Sequence, residues 1–274
     1  MNIRVTGDCH GDFKRFSKKN RQRLSINDGD IVIQCGDLGL LWYKDKEFEY
    51  NLKFFSQIPF TLLWVGGNHE NYNMLKEYPL EEWNGGLVRH IVRDKVIYLE
   101  RGQVFNINGK TLFTMGGASS HDIEDGILDR NSDDFKDKIK RLKRLKKKHY
   151  RIVNESWWED ELPSNEEIET ALNKLESIGN KVDYIITHCA SSEVEELLGC
   201  KNHDRLTDFF NYIERFVDFK HWYFGHYHQD VTMYDEKHTI VYKKAISLEK
   251  TITKSVEVKL KDGSIKHDRI KRKI

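Results

Sequence analysis

The sequence has no long apolar run. No stretch reaches the roughly 18 apolar residues that a membrane-spanning helix needs. The opening residues, Met1-Asn2-Ile3-Arg4-Val5, enter a strand-like pattern without a secretory leader. The expectation is a cytoplasmic protein without a membrane partner. Excess charge of either sign is also missing. Forty-five Lys and Arg against 44 Asp and Glu leave a net charge of +1, so no general pull toward nucleic acid or membrane follows. Four cysteines are present, without paired spacing, which argues against a disulfide framework and against a cysteine-based zinc site. Cys9, Cys35 and Cys189 each stand at a strand end and are read as reduced, buried thiols. Internal repeats and low-complexity linkers are absent. What remains is a chain of 274 residues, 38% hydrophobic and 32% charged, long enough to bury one large core.

Apolar runs and helical stripes alternate along that chain. Residues 1–7 read as a strand, Phe13 to Leu24 as a helix, and Ile31-Val32-Ile33 within 30–35 as a second strand. Continuous apolar strands imply burial on both faces, as in layered α/β folds. A helix from about Asp45 sets Phe48, Leu52 and Phe55 on one face, and Phe60 to Val65 reads as a third strand. Between Val88 and Met115 the pattern becomes a meander of short strands, with Asn108-Gly109 as a hairpin turn. Ser164-Asn165-Glu166-Glu167 is a capping box that opens a helix stopped by Gly179. Val182–Thr187 and His221–Phe224 read as strands around a helix over 204–217. Further strands are expected at 231–234, 239–242 and 255–260.

Residues 123–163 look like an insertion in a single domain spanning 1–260, with a basic tail over 261–274. From Lys136 to Arg151 there are ten Lys or Arg and one acid, with Phe135, Ile139, Leu142 and Leu145 at helical spacing. A solvated face is the simplest reading; a guide for nucleic acid is the functional alternative. Trp157 and Trp158 are expected to pack as a lid on the core, with base stacking as the alternative.

Five apolar strands end in groups that bind divalent metals. In order these are Asp8 with His10, Asp37, Asn68 with His69, His188, and His226 with His228. In α/β folds, binding groups gather beyond the carboxyl ends of strands. Two divalent ions about 3.5–4 Å apart can clamp phosphoryl oxygens and generate hydroxide near neutral pH. Such a pair needs a bridging carboxylate, neutral imidazoles and an oxygen donor. Asp-x-His and His-x-His suit the task, because alternate residues of an extended segment share a side.

The set Gly7-Asp8-x-His10, Gly36-Asp37, Gly67-Asn68-His69-Glu70, His188 and Gly225-His226-x-His228 resembles the calcineurin-like metallophosphoesterase superfamily. The resemblance implies a sandwich of two mixed β-sheets flanked by helices. It implies that Asp8, His10 and His228 bind one ion, that Asn68, His188 and His226 bind the other, and that Asp37 bridges them. It implies a catalytic His69, directed at the phosphate; Glu70 is the candidate for orienting it. The cofactors expected are two divalent ions, manganese foremost, with iron, zinc and magnesium as alternatives. The implied reaction is hydrolysis of phosphate mono- or diesters by a metal-bridging hydroxide, on nucleotides or nucleic-acid ends.

Protein Ser/Thr phosphatases carry Asp-Arg three residues after the bridging Asp, where this chain has Leu40-Leu41. That departure disfavours a phosphoprotein phosphatase, which stays an alternative beside a nucleic-acid-binding module. The run Gly116-Gly117-Ala118-Ser119-Ser120-His121-Asp122 looks like a small phage- and Firmicutes-type branch. Asn68, Asp122 and Arg130 are the candidates for touching substrate. Oligomeric state is not legible.

Overall fold

The computed structural model describes residues 2–200 and 203–249, with the short strand pair Val258–Lys259 and Ile265–Lys266. The expected strand over 255–260 is described only at that pair, and the basic tail Arg269–Lys273 lies outside the described residues. The first half runs β1 (Ile3–Thr6), α1 (Lys18–Arg23), β2 (Ile31–Cys35), α2 (Lys46–Ser56), β3 (Thr61–Val65), α3 (Tyr72–Leu75), β4 (Glu81–Trp83), β5 (Gly86–Val92) and β6 (Val96–Leu99). There follow β7 (Gln103–Ile107), β8 (Lys110–Met115), β9 (Gly126–Leu128), α4 (Phe135–Arg144), β10 (Tyr150–Ile152) and α5 (Asn165–Ser177). The chain continues through β11 (Tyr184–Thr187), α6 (Ser192–Leu197), α7 (Arg205–Phe216), β12 (His221–Phe224), β13 (Val231–Thr232), β14 (His238–Ile240) and β15 (Ile246–Ser247).

Two mixed sheets form a sandwich. The first has the order β15-β1-β2-β3-β6-β5-β4, with β1, β2, β3 and β6 parallel. The second has the order β13-β14-β12-β11-β8-β7, with β14, β12, β11 and β8 parallel. Side-chain alternation explains the layers. Ile31, Ile33 and Cys35 face the second sheet, joining Leu112, Ile186 and Tyr223 in the central core. Val32 and its neighbours Leu62 and Trp64 face outward under Phe13, Phe16 and Phe55. On the other outer face, Phe113, Ile185, Trp222 and Phe224 meet Ala171 and Leu175 of α5 and Phe210 and Ile213 of α7. The capping box forms as read, with Ser164 and Glu167 satisfying each other's backbone donors, typically worth ~1 kcal/mol.

The local structure departs from the sequence pattern in four places. The helix expected over 13–24 is broken: Phe13–Phe16 form a 3-10 turn, Ser17 is extended, and α1 begins at Lys18. Burial of Phe13 and Phe16 against the first sheet overrides helix continuity. The expected meander divides: β5 and β6 close the first sheet, whereas β7 and β8 open the second. Arg101 sits at that crossing with 4% exposure, donating to Tyr72 Oη at 2.9 Å. The basic run is not one helix, because α4 ends at Arg144 and Arg151 belongs to β10, which pairs with β9. The short α6 carries no apolar stripe long enough to announce itself. Among the described residues, no helix is long and apolar enough to cross a membrane.

Candidate metal centre

Parallel strands from both sheets end along one edge. There the loops after β1, β2, β3, β11 and β12 interlock through their backbones. Asp37 O accepts from the Cys9 and His10 amides, both at 2.9 Å, and Gly225 N donates to His188 O at 2.9 Å. Glu70 is 2% exposed, and its Oε1 accepts from Leu38 N at 2.8 Å. It therefore ties the Asn68 loop to the Asp37 loop, a different task from the orienting of His69 guessed from sequence. Arg15 donates to Tyr242 O and Thr6 Oγ1, both at 2.8 Å, and to the carbonyls of Gly7 and Asp8, fixing the first loop. His10, Asp37, His226 and His228 all adopt positive φ, between 45° and 64°. Such backbone costs on the order of 1 kcal/mol or more per residue and clusters at functional sites.

Two glycines make room for the side chains. A Cβ on Gly67 would lie 2.8 Å from His188 Nε2 and closer still to Asp37 Oδ1. One on Gly225 would collide with Asp8 Oδ1 and Cys35 O.

The ligand atoms converge in overlapping groups. Asp8, His10 and His228 form one, Asp37, His188 and His226 another, and in each the ligand atoms lie within 4.8 Å of one another. Asp8 Oδ2 is buried without a hydrogen bond, 3.1 Å from His228 Nε2. His10 Nε2 faces His228 Nε2 at 3.0 Å. His188 Nδ1 donates to Cys35 O at 2.8 Å, which turns Nε2 toward the site. Burial opposes its charging, but Asp37 outweighs this and raises its pKa to about 9, so Nε2 carries a proton that an incoming ion must displace. That Nε2 meets Asn68 Oδ1 at 3.2 Å and Asp37 Oδ2 at 3.3 Å. Once that proton is displaced, one nitrogen and two oxygens face one point, a donor set that fits a divalent ion.

The electrostatics agree. Burial would raise the Asp37 pKa, but the imidazoles of His188, His69 and His10 outweigh it and hold the carboxylate ionised. Burial, reinforced by His188 and His121, pushes His226 far down, leaving a neutral imidazole of the kind metals need.

His69 lies beside this cluster. A ring nitrogen of His69 groups with one of His10 and a carboxylate oxygen of Asp37, its amide donates to Asp37 Oδ1 at 2.9 Å, and its ring centroid is 5.0 Å from that of His10. Burial lowers its pKa, with Asp37, Arg151 and Asp122 all near enough to act on it. Asp122 is held bidentately by Arg151, at 3.0 and 2.5 Å. Arg130 is drawn elsewhere, paired with Glu155 and stacked over Phe135. A cleft of about 320 Å³ opens between His10 and His69 and is walled by Trp42, Tyr43, Phe48 and Asn51, with Asp45 and Glu47 on its lining. Trp158 is buried and packs edge-on against Trp42 at 5.3 Å, so it is a prop for that wall.

Sequence reasoning passed over His121, whose Nε2 lies 2.6 Å from that of His226. It also missed Arg151 as the partner of Asp122. Both pairings depend on loops far apart in the chain. The one available signal was that His121 lies in the loop after an apolar strand, as the other ligand candidates do.

A family model for calcineurin-like phosphoesterases matches residues 1–230. Lariat debranching enzyme A of Xenopus laevis is 24% identical over 147 residues, 47% of this chain and 26% of that protein. The lariat debranching enzyme of Danio rerio is 26% identical over 144 residues, 46% of this chain and 24% of that protein. The matched region thus spans about a quarter of the length of these curated relatives. A solved phosphopantetheinyl hydrolase from Mycobacterium tuberculosis aligns over 93% of this chain and 98% of its own, with 12% identity and a TM-score of 0.44. With the family match running from the first strand past His228, the chain belongs to the calcineurin-like phosphoesterases and thereby to the metal-dependent phosphoester hydrolases.

Proposed function

We propose that this protein is a dinuclear metal-dependent phosphoesterase acting on phosphate mono- or diesters of nucleotides or nucleic-acid ends. The observation that carries the reading is the convergence of two ligand groups on one edge, with Asp37 facing both His10 and His188. Asp8, His10 and His228 would hold one ion. Asn68, His188 and His226 would hold the other, with Asp37 shared and manganese, iron, zinc or magnesium as the metal. Bound there, divalent ions polarise phosphoryl oxygens and make water a nucleophile near neutral pH.

The rest falls to the chain's own side chains. His69 is held at the cleft mouth by the hydrogen bond from its backbone amide to Asp37 and donates a proton or hydrogen bond to a phosphoryl or leaving oxygen. The cleft lodges the ester's substituent. Its aromatic walls suit a ring such as a base, while Asp45 and Glu47 disfavour further phosphates there. Asp122 stands near the same edge through its pairing with Arg151 and is the stronger of the two outlying substrate candidates, because Arg130 is engaged by Glu155. Leu40 and Leu41 are buried in the core, so no polar pair stands where protein phosphatases have one.

A polynucleotide substrate draws support from α4. Among the described residues, no ion pair engages its exposed Lys140, Arg141, Lys143 and Arg144. The name of the curated relatives, debranching enzymes, also favours a diester.

Aryl phosphate mono- and diesters assayed with manganese test the proposal. Turnover is expected, and complete inactivity of metal-loaded protein across such substrates would refute it. His69→Ala should lower kcat by roughly 10²- to 10⁴-fold with both metals retained; metal loss in that variant would overturn its role.

A further inference from the structure

Six parallel strands, not five, deliver a loop to the metal edge. The sixth is β8, parallel to β11, and its loop runs Gly116 to Asp122. That loop is held at nearly every residue. Gly117 N donates to Gly66 O at 2.8 Å and Ala118 N to Glu161 O at 3.1 Å. Ser119 Oγ donates to Asp204 Oδ2 at 2.5 Å. Ser120 gives its amide and hydroxyl to the two oxygens of buried Glu161, at 2.9 and 2.7 Å. Asp122 is clamped by Arg151. Four distant segments therefore fix one short loop, and at its tip His121 directs Nε2 at His226 Nε2, 2.6 Å away.

Such rigidity around a single imidazole is the arrangement of a preorganised ligand. Two ring nitrogens this close cannot both present protons: they share one as a hydrogen bond, or turn two lone pairs toward a cation beside them. The molecule contains its own standard for comparison. His10 and His228, both in the Asp8 ligand group, face each other through the same atoms at 3.0 Å. The loop reaches the neighbouring ligand too, since Ser120 Oγ lies 3.5 Å from Asn68 Nδ2 on the side opposite the Asn68 oxygen that faces His188.

We propose that His121 is a further nitrogen ligand of the ion held by Asn68, His188 and His226, giving that site an imidazole pair matching His10 and His228. The inference rests on the dinuclear reading above. The outer strand β8 then contributes to the metal centre as directly as β11 and β12 do.

The test is metal binding by the full chain, stripped with chelator and reloaded with manganese. His121 is exposed, so His121→Ala should fold. Wild type should bind two ions and show the electron paramagnetic resonance spectrum of an exchange-coupled pair. His121→Ala should keep one ion at wild-type affinity and bind the other at least about 10-fold more weakly, the scale set by losing a partner around a metal. At two equivalents its spectrum should gain the six-line signal of uncoupled manganese. Two ions bound at wild-type affinity with an unchanged coupled spectrum in His121→Ala would overturn the inference and leave the dinuclear reading intact. Failure of the wild type to bind a second ion would instead overturn both.

Discussion

The two halves of the proposed metal centre differ in their access to water. The side chains of His10 and His228 are 34% and 48% exposed, and His228 is braced by stacking on Tyr242 at 4.7 Å. His188 is fully buried, Asp37 nearly so, and His188 is locked by Cys35 O before any ion arrives. One half is a rim and the other a floor. A floor ligand that is desolvated and held in one tautomer loses little freedom on binding, so its ion should be held tightly. Rim ligands can swing, so their ion should exchange first.

The sharpest way to break this contrast is to remove what the halves share. Asp37→Asn should lower kcat on the order of 10³-fold or more, ~4 kcal/mol of lost transition-state stabilisation. It should weaken both ions, as metal titration by calorimetry would report. Selective loss of one ion would mean that Asp37 serves one half only.

Next in size are the private ligands. His228→Ala should cost the rim ion ~10- to 100-fold in affinity, while His188→Ala should cost the floor ion more, because it also leaves Asn68 and Asp37 facing an unfilled space. Timed release to a chelator, fast then slow in the wild type, distinguishes the two. A single phase would erase the distinction between rim and floor.

The scaffold beneath offers a change that should not discriminate. His238 on β14 lies between Asp235 and Glu214, at 2.5 and 2.9 Å. Burial depresses its pKa, but the two carboxylates outweigh this and raise it to about 9. Its neighbour His221 is pushed down to about 4 by burial and by His238. The folded value of His238 exceeds the unfolded value of about 6.5, so its contribution is full below about pH 6.5 and is lost as pH rises through 9. Urea denaturation across that window should show a decline of no more than about 3 kcal/mol, flattened in His238→Gln. Because β14 supports β12, which leads to His226 and His228 alike, both ions should weaken together.

The smallest effect is expected farthest from the centre. Neutralising Lys140, Arg141, Lys143 and Arg144 to Gln should leave aryl phosphate turnover within about twofold. It should reduce the salt dependence of polynucleotide binding by up to about one power of salt concentration for each phosphate those side chains neutralise. An unchanged slope would reduce α4 to a solvated face.

The same contrast explains what could be read in advance. Ile31-Val32-Ile33 ending at Asp37 and Phe60–Val65 ending at Asn68-His69 were legible because a buried strand and its terminal ligand are adjacent in sequence. Strands and their order followed from local pattern, and the sandwich from the family resemblance that the strand ends carry. His121 was visible but carried no assignment, because its placement depends on Glu161 and Asp204, 41 and 85 residues from the serines they hold. Arg151 was hidden inside a charge run, where nothing local separates a partner of Asp122 from its solvated neighbours. The division of the meander at Arg101 was illegible for a similar reason: a strand pattern states which residues are buried, not which sheet buries them.

The glycines before Asn68 and His226 carry one more consequence. Each occupies the volume that a neighbouring ligand needs, Gly67 yielding to Asp37 and His188, Gly225 to Asp8. Glycine and ligand are thus a lock shared between different strands, and a single methyl group would jam it. New specificity cannot arise there by stepwise substitution. It has to be sought around the perimeter, in the 123–150 segment and the Trp42 cleft, where side chains can change without displacing the floor. The chain therefore separates an inheritable reaction from an adjustable choice of substrate.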